Sequence, residues 1–155
     1  MNKRGMKQFV PRQITGCVNK KKIKEGEKKK MEIISTEAAP AALGPYSQAI
    51  RANGFIWCSG QIPIDPATGA ICGEGIEAQA RQAIGNLAAV LRAAGSGLDK
   101  VVKTTVFIRH MEDFAVLNKV YAEMFGAAKP ARSCVEVSAL PKGALVEIEA
   151  IAAVE

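Results

Sequence analysis

Residues 76–94, IEAQARQAIGNLAAVLRAA, and residues 101–108, VVKTTVFI, decide how this chain folds. In the first segment apolar residues recur every three to four positions, which predicts an amphipathic helix over 76–94. That apolar stripe consists of Ile76, Ala80, Ala83, Ile84, Leu87, Val90, Leu91 and Ala94. The second segment is rich in β-branched residues with alternating character, which predicts a strand. The change of period therefore indicates a domain in which a helix packs against a sheet.

A β-hairpin is predicted on the N-terminal side of this helix. Asn53-Gly54 separates the runs 47–52 and 55–60, and both residues of such a two-residue turn must accept positive φ. A short strand is expected at 32–35. Residues 62–75 contain two prolines and three glycines, so we expect a long loop there, with at most a short strand near 70–71.

On the C-terminal side, residues 112–125 show a second helical period, and strands are predicted at 131–138 and 145–154. The turn residues at 140–143 join these two strands, which we expect to form a hairpin. The fold class is therefore α+β, a mixed six-stranded sheet with two helices on one face. Nothing else in the chain could cover the second face, so self-association is expected.

Length and composition exclude several classes of protein. The chain has 155 residues, of which 48% are hydrophobic and 23% charged, which fits one globular domain and no membrane span. Its four cysteines, Cys17, Cys58, Cys72 and Cys134, are too scattered for a disulfide framework or a Cys-x-x-Cys zinc site. A Ser-His-Asp triad, a Cys-His pair or a histidine-based metal site would each depend on the single histidine, His110, so we expect no metal.

The positive charge is concentrated in residues 1–30. The net charge is +6, but residues 1–30 hold eleven of the 21 basic and two of the 15 acidic residues, which leaves 31–155 at −3. We therefore expect a disordered basic tail at 1–30 and a domain at 31–155 with no nucleic-acid-binding face. Because the tail lacks the apolar segment of a signal peptide, a cytoplasmic location is expected.

The origin of the tail has several interpretations, of which a mitochondrial transit peptide is disfavoured because the tail is rich in lysine rather than in arginine and serine. Codons for Gly26-Glu27 can form a purine-rich run three lysine codons before Met31, which is typical of a bacterial ribosome-binding site translated in frame. We favour Met31 as the natural start, so removing 1–30 should leave folding and activity unchanged. The alternative is a genuine solvated tail that binds an acidic partner.

Candidate chemistry lies on the predicted C-terminal strands. Side chains alternate along a strand, so Arg132 and Cys134 share one face, and in a hairpin Glu147 would lie within a rung or two of them. Two interpretations are open: an ordinary cross-strand Arg132–Glu147 ion pair, or a functional site. Glu149 would replace Glu147 if the register slipped by two. Cys134 is a poor candidate nucleophile because His110 supplies no base nearby in sequence.

Four sequence blocks carry a resemblance to a known family. They are GPYSQA at 44–49, CSGQIP at 58–63, PARSCVEV at 130–137 and VEIEAIA at 146–152, with Asn118-x-x-Tyr121 before the third. Together they resemble the RidA (YjgF) family of imine and enamine deaminases over Met31 to Glu155. The resemblance implies a chorismate-mutase-like fold, a homotrimer with active sites in clefts between subunits, and no metal or cofactor.

The resemblance also implies a reaction and roles for particular residues. The reaction is hydrolysis of 2-imino or 2-enamino acids, such as 2-iminobutanoate and 2-iminopropanoate, to 2-oxo acids and ammonia, which protects pyridoxal-phosphate enzymes from damage. Arg132 would bind the substrate carboxylate and Glu147 would activate water. The residues expected to line the cleft are Tyr46, Ser59, Gly60, Asn118 and Cys134.

Two other functions are described for relatives of this kind. Some are endoribonucleases or translation inhibitors, and others are non-catalytic ligand-binding or chaperone-like proteins. The negative net charge of 31–155 gives little support to RNA binding. The presence of both Arg132 and Glu147 favours the deaminase over a non-catalytic protein.

Overall fold

The computed structural model describes residues 31–154 and contains six strands and two α-helices within that range. In chain order the elements are β1 (Glu32–Ile34), β2 (Ala49–Ala52), β3 (Phe55–Gln61), α1 (Ile76–Ala93), β4 (Val101–Ile108), α2 (Phe114–Phe125), β5 (Ala131–Glu136) and β6 (Val146–Ala153). Short 3₁₀ turns at Leu98–Lys100, Met111–Asp113 and Pro141–Gly143 precede β4, α2 and β6. The predictions of a disordered tail at 1–30 and of a natural start at Met31 concern residues outside the described range.

The six strands form one mixed sheet in the order β1-β2-β3-β6-β4-β5. β4 and β5 run parallel, and the other neighbouring strands run antiparallel. This architecture confirms the predicted α+β class with a six-stranded mixed sheet and two helices.

The core lies between the helices and one face of the sheet. Every member of the predicted apolar stripe of α1 is buried, and α2 buries four residues: Leu117, Val120, Tyr121 and Phe125. From the sheet, Val106, Ile108 and Ile148 reach zero exposure in the same cluster. Truncating one of these large aliphatic side chains to alanine would cost about 2–5 kcal/mol, so both helices are firmly held on this face.

The predicted N-terminal hairpin is also confirmed. Asn53 and Gly54 have φ values of 54° and 81°, as the tight turn between β2 and β3 requires. Residues 62–75 form the expected loop, in which a single bridge joins Ile64 and Ile71.

The predicted C-terminal hairpin is wrong. β4 lies between the last two strands, because β6 pairs with β4 on one side and β5 pairs with β4 on the other. The composition of the strands gives the reason: β4, VVKTTVFI, is rich in apolar and β-branched residues, whereas half of β5, ARSCVE, is polar or charged. A largely exposed strand is tolerated at a sheet edge, whereas the apolar β4 is stabilised in the interior of the sheet.

The sheet face away from the helices is open in the described chain. On this open face, Trp57 is 50% exposed, Val135 44% and Phe55 39%. Large apolar side chains grouped on one face are typical of an interaction surface. The homotrimer expected from the sequence would use such a surface and stays a prediction.

Candidate active site

Glu147 lies on the open face, beside an irregularity in β3. The register of β3 against β6 shifts between Cys58 and Gln61, so a β-bulge at Ser59 and Gly60 falls next to the start of β6. A Cβ atom added to Gly60 would lie 1.8 Å from Oε1 of Glu147, far inside any real contact distance. Glycine at position 60 therefore leaves the space that the Glu147 carboxylate occupies.

The surroundings of Glu147 favour its protonated form. Burial raises the pKa of Glu147 above its ordinary value, and the negative charge of Glu149 raises it further. The salt bridges found within residues 31–154 do not include Glu147. A carboxyl group with a raised pKa and no ion-pair partner among residues 31–154 is suited to accepting and returning a proton.

A largely apolar cavity of about 190 Å³ opens beside this carboxylate. Its lining combines loop residues on both sides of the bulge: Pro40, Ala41, Leu43, Tyr46, Gln48, Gly60, Gln61, Ile62, Ile64, Pro141 and Glu147. One ionisable carboxyl among apolar walls can bind a small molecule with a short apolar substituent and hold a reactive polar group at the carboxyl. Glu149, the alternative to Glu147, is exposed and does not line this cavity.

Two buried side-chain amides hold the walls of the cavity. Gln48 accepts a hydrogen bond from the Thr36 amide at 2.7 Å and donates to the carbonyl oxygens of Thr36, Ala39 and Pro40. On α1, Asn86 donates to the carbonyl oxygens of Ile62 and Ile64 at 3.0 and 2.8 Å. Because each amide satisfies several loop carbonyls that helices or strands do not, both loops are fixed in place.

Sequence reasoning missed both amides as contributors to the site. Asn86 gives a signal, because it is a polar residue one position before Leu87 in the most apolar part of the α1 segment, and it is 1% exposed. Gln48 lies within the GPYSQA block, but its partners are loop carbonyls whose positions the sequence does not indicate.

Two of the predicted cleft residues make mainly local contacts. The Tyr46 ring is half exposed and lines the cavity, and its hydroxyl accepts a hydrogen bond from the Leu43 amide at 3.2 Å. Ser59 donates its hydroxyl to the Ser47 carbonyl oxygen at 2.7 Å and does not line the cavity. Ser59 thereby ties β3 to the segment that carries Tyr46, and its contact with substrate stays a prediction.

Arg132 lies on the helix face of the sheet, near the start of β5. Its guanidinium carbon is 4.6 Å from the centroid of the Tyr121 ring and 5.5 Å from that of Phe114. Arg132 lines a second, open cavity together with Asn118 and Lys129. No salt bridge within residues 31–154 involves Arg132. A stacked guanidinium without a carboxylate partner can bind an anionic group through two parallel N–H donors.

The cysteines of the described region are unpaired thiols. Burial raises the pKa of Cys134, although the positive charge of Arg132 partly opposes the shift. Burial raises the pKa of Cys58 to about 12. Protonated thiols are weak nucleophiles, which agrees with the expectation that Cys134 is not one. Within residues 31–154, no three His, Cys, Asp or Glu side chains are grouped so that they could hold a metal ion.

The predicted proximity of Glu147 to Arg132 and Cys134 is wrong. Arg132 pairs with Thr104 and Glu147 pairs with Phe107, on opposite sides of β4, so two inter-strand spacings, roughly 10 Å, separate their strands. Arg132 points towards α2, whereas Glu147 points to the open face. The Arg132–Glu147 ion pair, one of the two interpretations that the sequence left open, is therefore absent among residues 31–154, and each group lines a cavity of its own.

Comparisons with known proteins give a consistent result. A family model described as "Endoribonuclease L-PSP" matches residues 36–154. The chain is 57% identical over 121 residues to RutC family protein PH0854 of Pyrococcus horikoshii, covering 78% of this chain and 96% of that protein. It is 51% identical over 122 residues to the 2-iminobutanoate/2-iminopropanoate deaminase of Salmonella typhimurium, covering 77% and 94%.

Solved structures agree with these sequence relatives. A putative endoribonuclease L-PSP from Entamoeba histolytica superposes with a TM-score of 0.79 at 52% identity, covering 81% of this chain and all of that chain. E. coli TdcF, solved with bound serine, superposes with a TM-score of 0.77 at 42% identity, covering 80% and 99%. No helix within residues 31–154 combines the length and apolar character needed to cross a membrane.

Proposed function

The chain belongs to the endoribonuclease L-PSP family, the RidA family that its sequence blocks resemble, and on that premise we propose that it hydrolyses 2-imino acids. The substrates would be 2-iminobutanoate and 2-iminopropanoate, or their 2-enamino tautomers, and the products 2-oxo acids and ammonia. Removal of these reactive compounds would protect pyridoxal-phosphate enzymes.

The observation that carries this proposal is the environment of Glu147. Its carboxyl has a raised pKa, makes no ion pair within residues 31–154 and borders an apolar cavity large enough for a short alkyl group. A general acid–base for imine hydrolysis needs these properties, since it must take a proton from water and return one to nitrogen. The deaminase from Salmonella, at 51% identity, adds support from a named relative.

The proposed steps use one carboxyl group and one water molecule. The Glu147 carboxylate accepts a proton from water while the water oxygen forms a bond to C2 of the imine, and the C=N electron pair moves to nitrogen. The nitrogen takes this proton back from Glu147, which gives the neutral carbinolamine. The Glu147 carboxylate then accepts the hydroxyl proton of the carbinolamine and passes it to nitrogen, the C–N bond breaks with its electron pair leaving on ammonia, and C2 and its oxygen form the 2-oxo group. Imines hydrolyse readily in water, so positioning can supply much of the rate enhancement.

Arg132 would bind the substrate carboxylate next to the reacting carbon. Its planar guanidinium is always charged and matches the two oxygens of a carboxylate, which lysine cannot do. The E. coli relative TdcF was solved with serine, a ligand whose carboxylate and nitrogen are attached to the same carbon, as they are in a 2-imino acid. Asn118 and Lys129, which line the same cavity, would contact the substrate at its rim.

We further propose a homotrimer in which each site combines two chains. Arg132 and Glu147 lie on opposite faces of one sheet, so a single chain cannot direct both at one small substrate. A neighbouring copy that covers the exposed Trp57 and Val135 would both bury the open face and bring a second set of site residues.

The unpaired thiols of the described region are consistent with a reducing cytoplasm.

The first test measures imine hydrolysis directly. An amino acid oxidase or a threonine dehydratase supplies the imine, and its disappearance is followed with the wild-type protein, with Arg132→Ala and with Glu147→Gln. We expect rapid hydrolysis by the wild type and a large loss in both variants. Arg92→Ala and Glu149→Gln are the matched controls, because both are exposed residues outside the two cavities and should retain most activity.

The same proteins decide between the alternatives. Glu147→Gln keeps the size of the side chain but cannot exchange a proton, so 2-oxobutanoate binding should survive while turnover falls. An inactive wild type that still binds 2-oxobutanoate would indicate a non-catalytic ligand-binding protein. Cleavage of RNA by the wild type and not by these variants would instead support the endoribonuclease of the family description.

A further inference from the structure

A stack of three groups extends from α2 to Arg132. The Tyr121 and Phe125 rings lie 4.2 Å apart, centroid to centroid, at an interplanar angle of 20°. The Arg132 guanidinium lies over the Tyr121 ring at 4.6 Å. Tyr121 is therefore a platform between a core aromatic residue and an exposed cation, and stacking on an aromatic face restricts the orientations of a guanidinium.

The platform is itself held from the sheet. The Tyr121 hydroxyl and the Thr104 hydroxyl are 2.8 Å apart in a buried hydrogen bond. Thr104 is fully buried and is the β4 partner of Arg132 across the β4–β5 ladder. Thr104, which bonds the Tyr121 hydroxyl, and Arg132, which stacks on the Tyr121 ring, thus lie side by side on neighbouring strands.

We propose that Tyr121, anchored by Thr104, is a positioning residue that orients the Arg132 guanidinium for binding of the substrate carboxylate. This inference rests on the proposed function, in which Arg132 binds that carboxylate. Arg132 is exposed on an edge strand and has no ion-pair partner within residues 31–154, so the rings of Tyr121 and Phe114 are what limits its movement. The site would lose affinity for the substrate without this platform.

Charge interactions agree with the contact. Burial raises the pKa of Tyr121, while its hydrogen bond with Thr104 and the positive charge of Arg132 both act in the opposite direction. The effect of Arg132 on this pKa agrees with a guanidinium that lies close to the phenol group.

Three variants separate the ring from its hydroxyl. Tyr121→Leu removes the platform, so KM for the imine should rise about three- to tenfold with kcat little changed. Tyr121→Phe keeps the ring but loses its hydrogen bond to Thr104, so KM should rise by less than in Tyr121→Leu and stay above the wild-type value. Thr104→Val removes the same hydrogen bond from the other side and should match Tyr121→Phe.

Val120→Ala is the structural control. Val120 is a buried neighbour on α2 that lines neither cavity, so its truncation loosens the same helix without touching Arg132. We expect lower thermal stability with an unchanged KM. An unchanged KM in Tyr121→Leu, or an equal rise in Val120→Ala, would overturn the positioning role. An inactive wild type would instead count against the proposed function.

A spectroscopic measurement tests the contact without turnover. The chain has two tyrosines, so in a protein labelled with ¹³C at tyrosine Cζ the Tyr121 signal is the one that Tyr121→Phe removes. Arg132→Ala should shift this signal with no ligand present. Titration with 2-oxobutanoate should shift it only while Arg132 is intact. A Tyr121 signal that moves neither with Arg132→Ala nor with 2-oxobutanoate would refute the proposal, even if Tyr121→Leu fails to fold.

Discussion

The Arg132 region and the Glu147 region differ in charge, in burial and in the contacts that hold the charged group. Arg132 is exposed on the edge strand β5 and is oriented by aromatic rings on the helix face. Glu147 is half-buried near the centre of the sheet and fits against a glycine in a bulge on the open face. The guanidinium stays charged in any setting, whereas the carboxyl needs partial burial to raise its pKa.

Under the proposed function, the two regions are the two halves of an active site, and one chain carries both. Each region has its own cavity, its own loops and its own supporting residues, and β4 separates them. We therefore expect a substitution in one half-site to leave the geometry of the other unchanged. We also expect activity to need the Arg132 half of one copy and the Glu147 half of another.

Arg132→Lys is the strongest test of the Arg132 half. It keeps the charge but loses the planar pair of donors, which should cost about 2–5 kcal/mol. The expected loss in kcat/KM is roughly thirtyfold to several thousandfold, measured in the coupled imine assay. Arg92→Lys is the control on exposed α1 surface. Normal turnover by Arg132→Lys would show that the carboxylate-binding role is wrong.

Mixed oligomers test whether the halves come from different chains. Arg132→Ala and Glu147→Gln should each be nearly inactive alone. When the two are co-expressed, random mixing places an intact Arg132 opposite an intact Glu147 in roughly a quarter of the sites of a trimer. We expect activity to return to about that fraction. A mixture as inactive as its components would indicate that each chain works alone.

Gly60→Ala tests the Glu147 half in isolation. The added methyl group would occupy the position of the Glu147 carboxylate, and displacement of a reacting group by about 1 Å can cost about 10²-fold in rate. Gly85→Ala is the matched control, because a Cβ there meets nothing within 4 Å. The Tyr121 ring signal should be unchanged in Gly60→Ala, since the Arg132 half is separate. Full activity in Gly60→Ala would contradict the importance of this close contact.

Glu149→Gln should produce the smallest effect. The charge of Glu149 raises the pKa of Glu147, so its removal lowers that pKa. If Glu147 acts as a carboxylate, the acid limb of kcat/KM against pH then moves to lower pH, with the plateau value nearly unchanged. Glu112→Gln, an exposed residue in the turn before α2, should leave the limb in place. A shift to higher pH would have the wrong sign for this assignment.

Local sequence patterns predicted most elements of the fold. The apolar stripe of α1, the Asn53-Gly54 turn and the strand Val101–Ile108 all depend on neighbours within a few residues, and the structure confirms all three. The pairing of β5 with β6 was predicted from a nearby turn and was wrong, because strand order depends on which strands bury most surface.

The residues of the candidate site also fall into a group that the sequence predicted and a group that it did not. The sequence blocks identified the family and singled out Arg132, Glu147, Tyr46 and Gly60, since these residue types are written directly in the motifs. The supporting contacts from Gln48, Asn86 and Thr104 could not be predicted, because each joins residues distant in sequence.

Residue patterns alone were enough to predict the period of each element, the alternation of faces along the strands and the family. Those properties depend on backbone geometry and on residue type, both of which are local. The packing of the whole chain, by contrast, places β4 between β5 and β6, so that Arg132 and Glu147 face opposite sides of the sheet. Strand order results from the burial of apolar surface by the whole chain, and no short stretch of sequence contains that information.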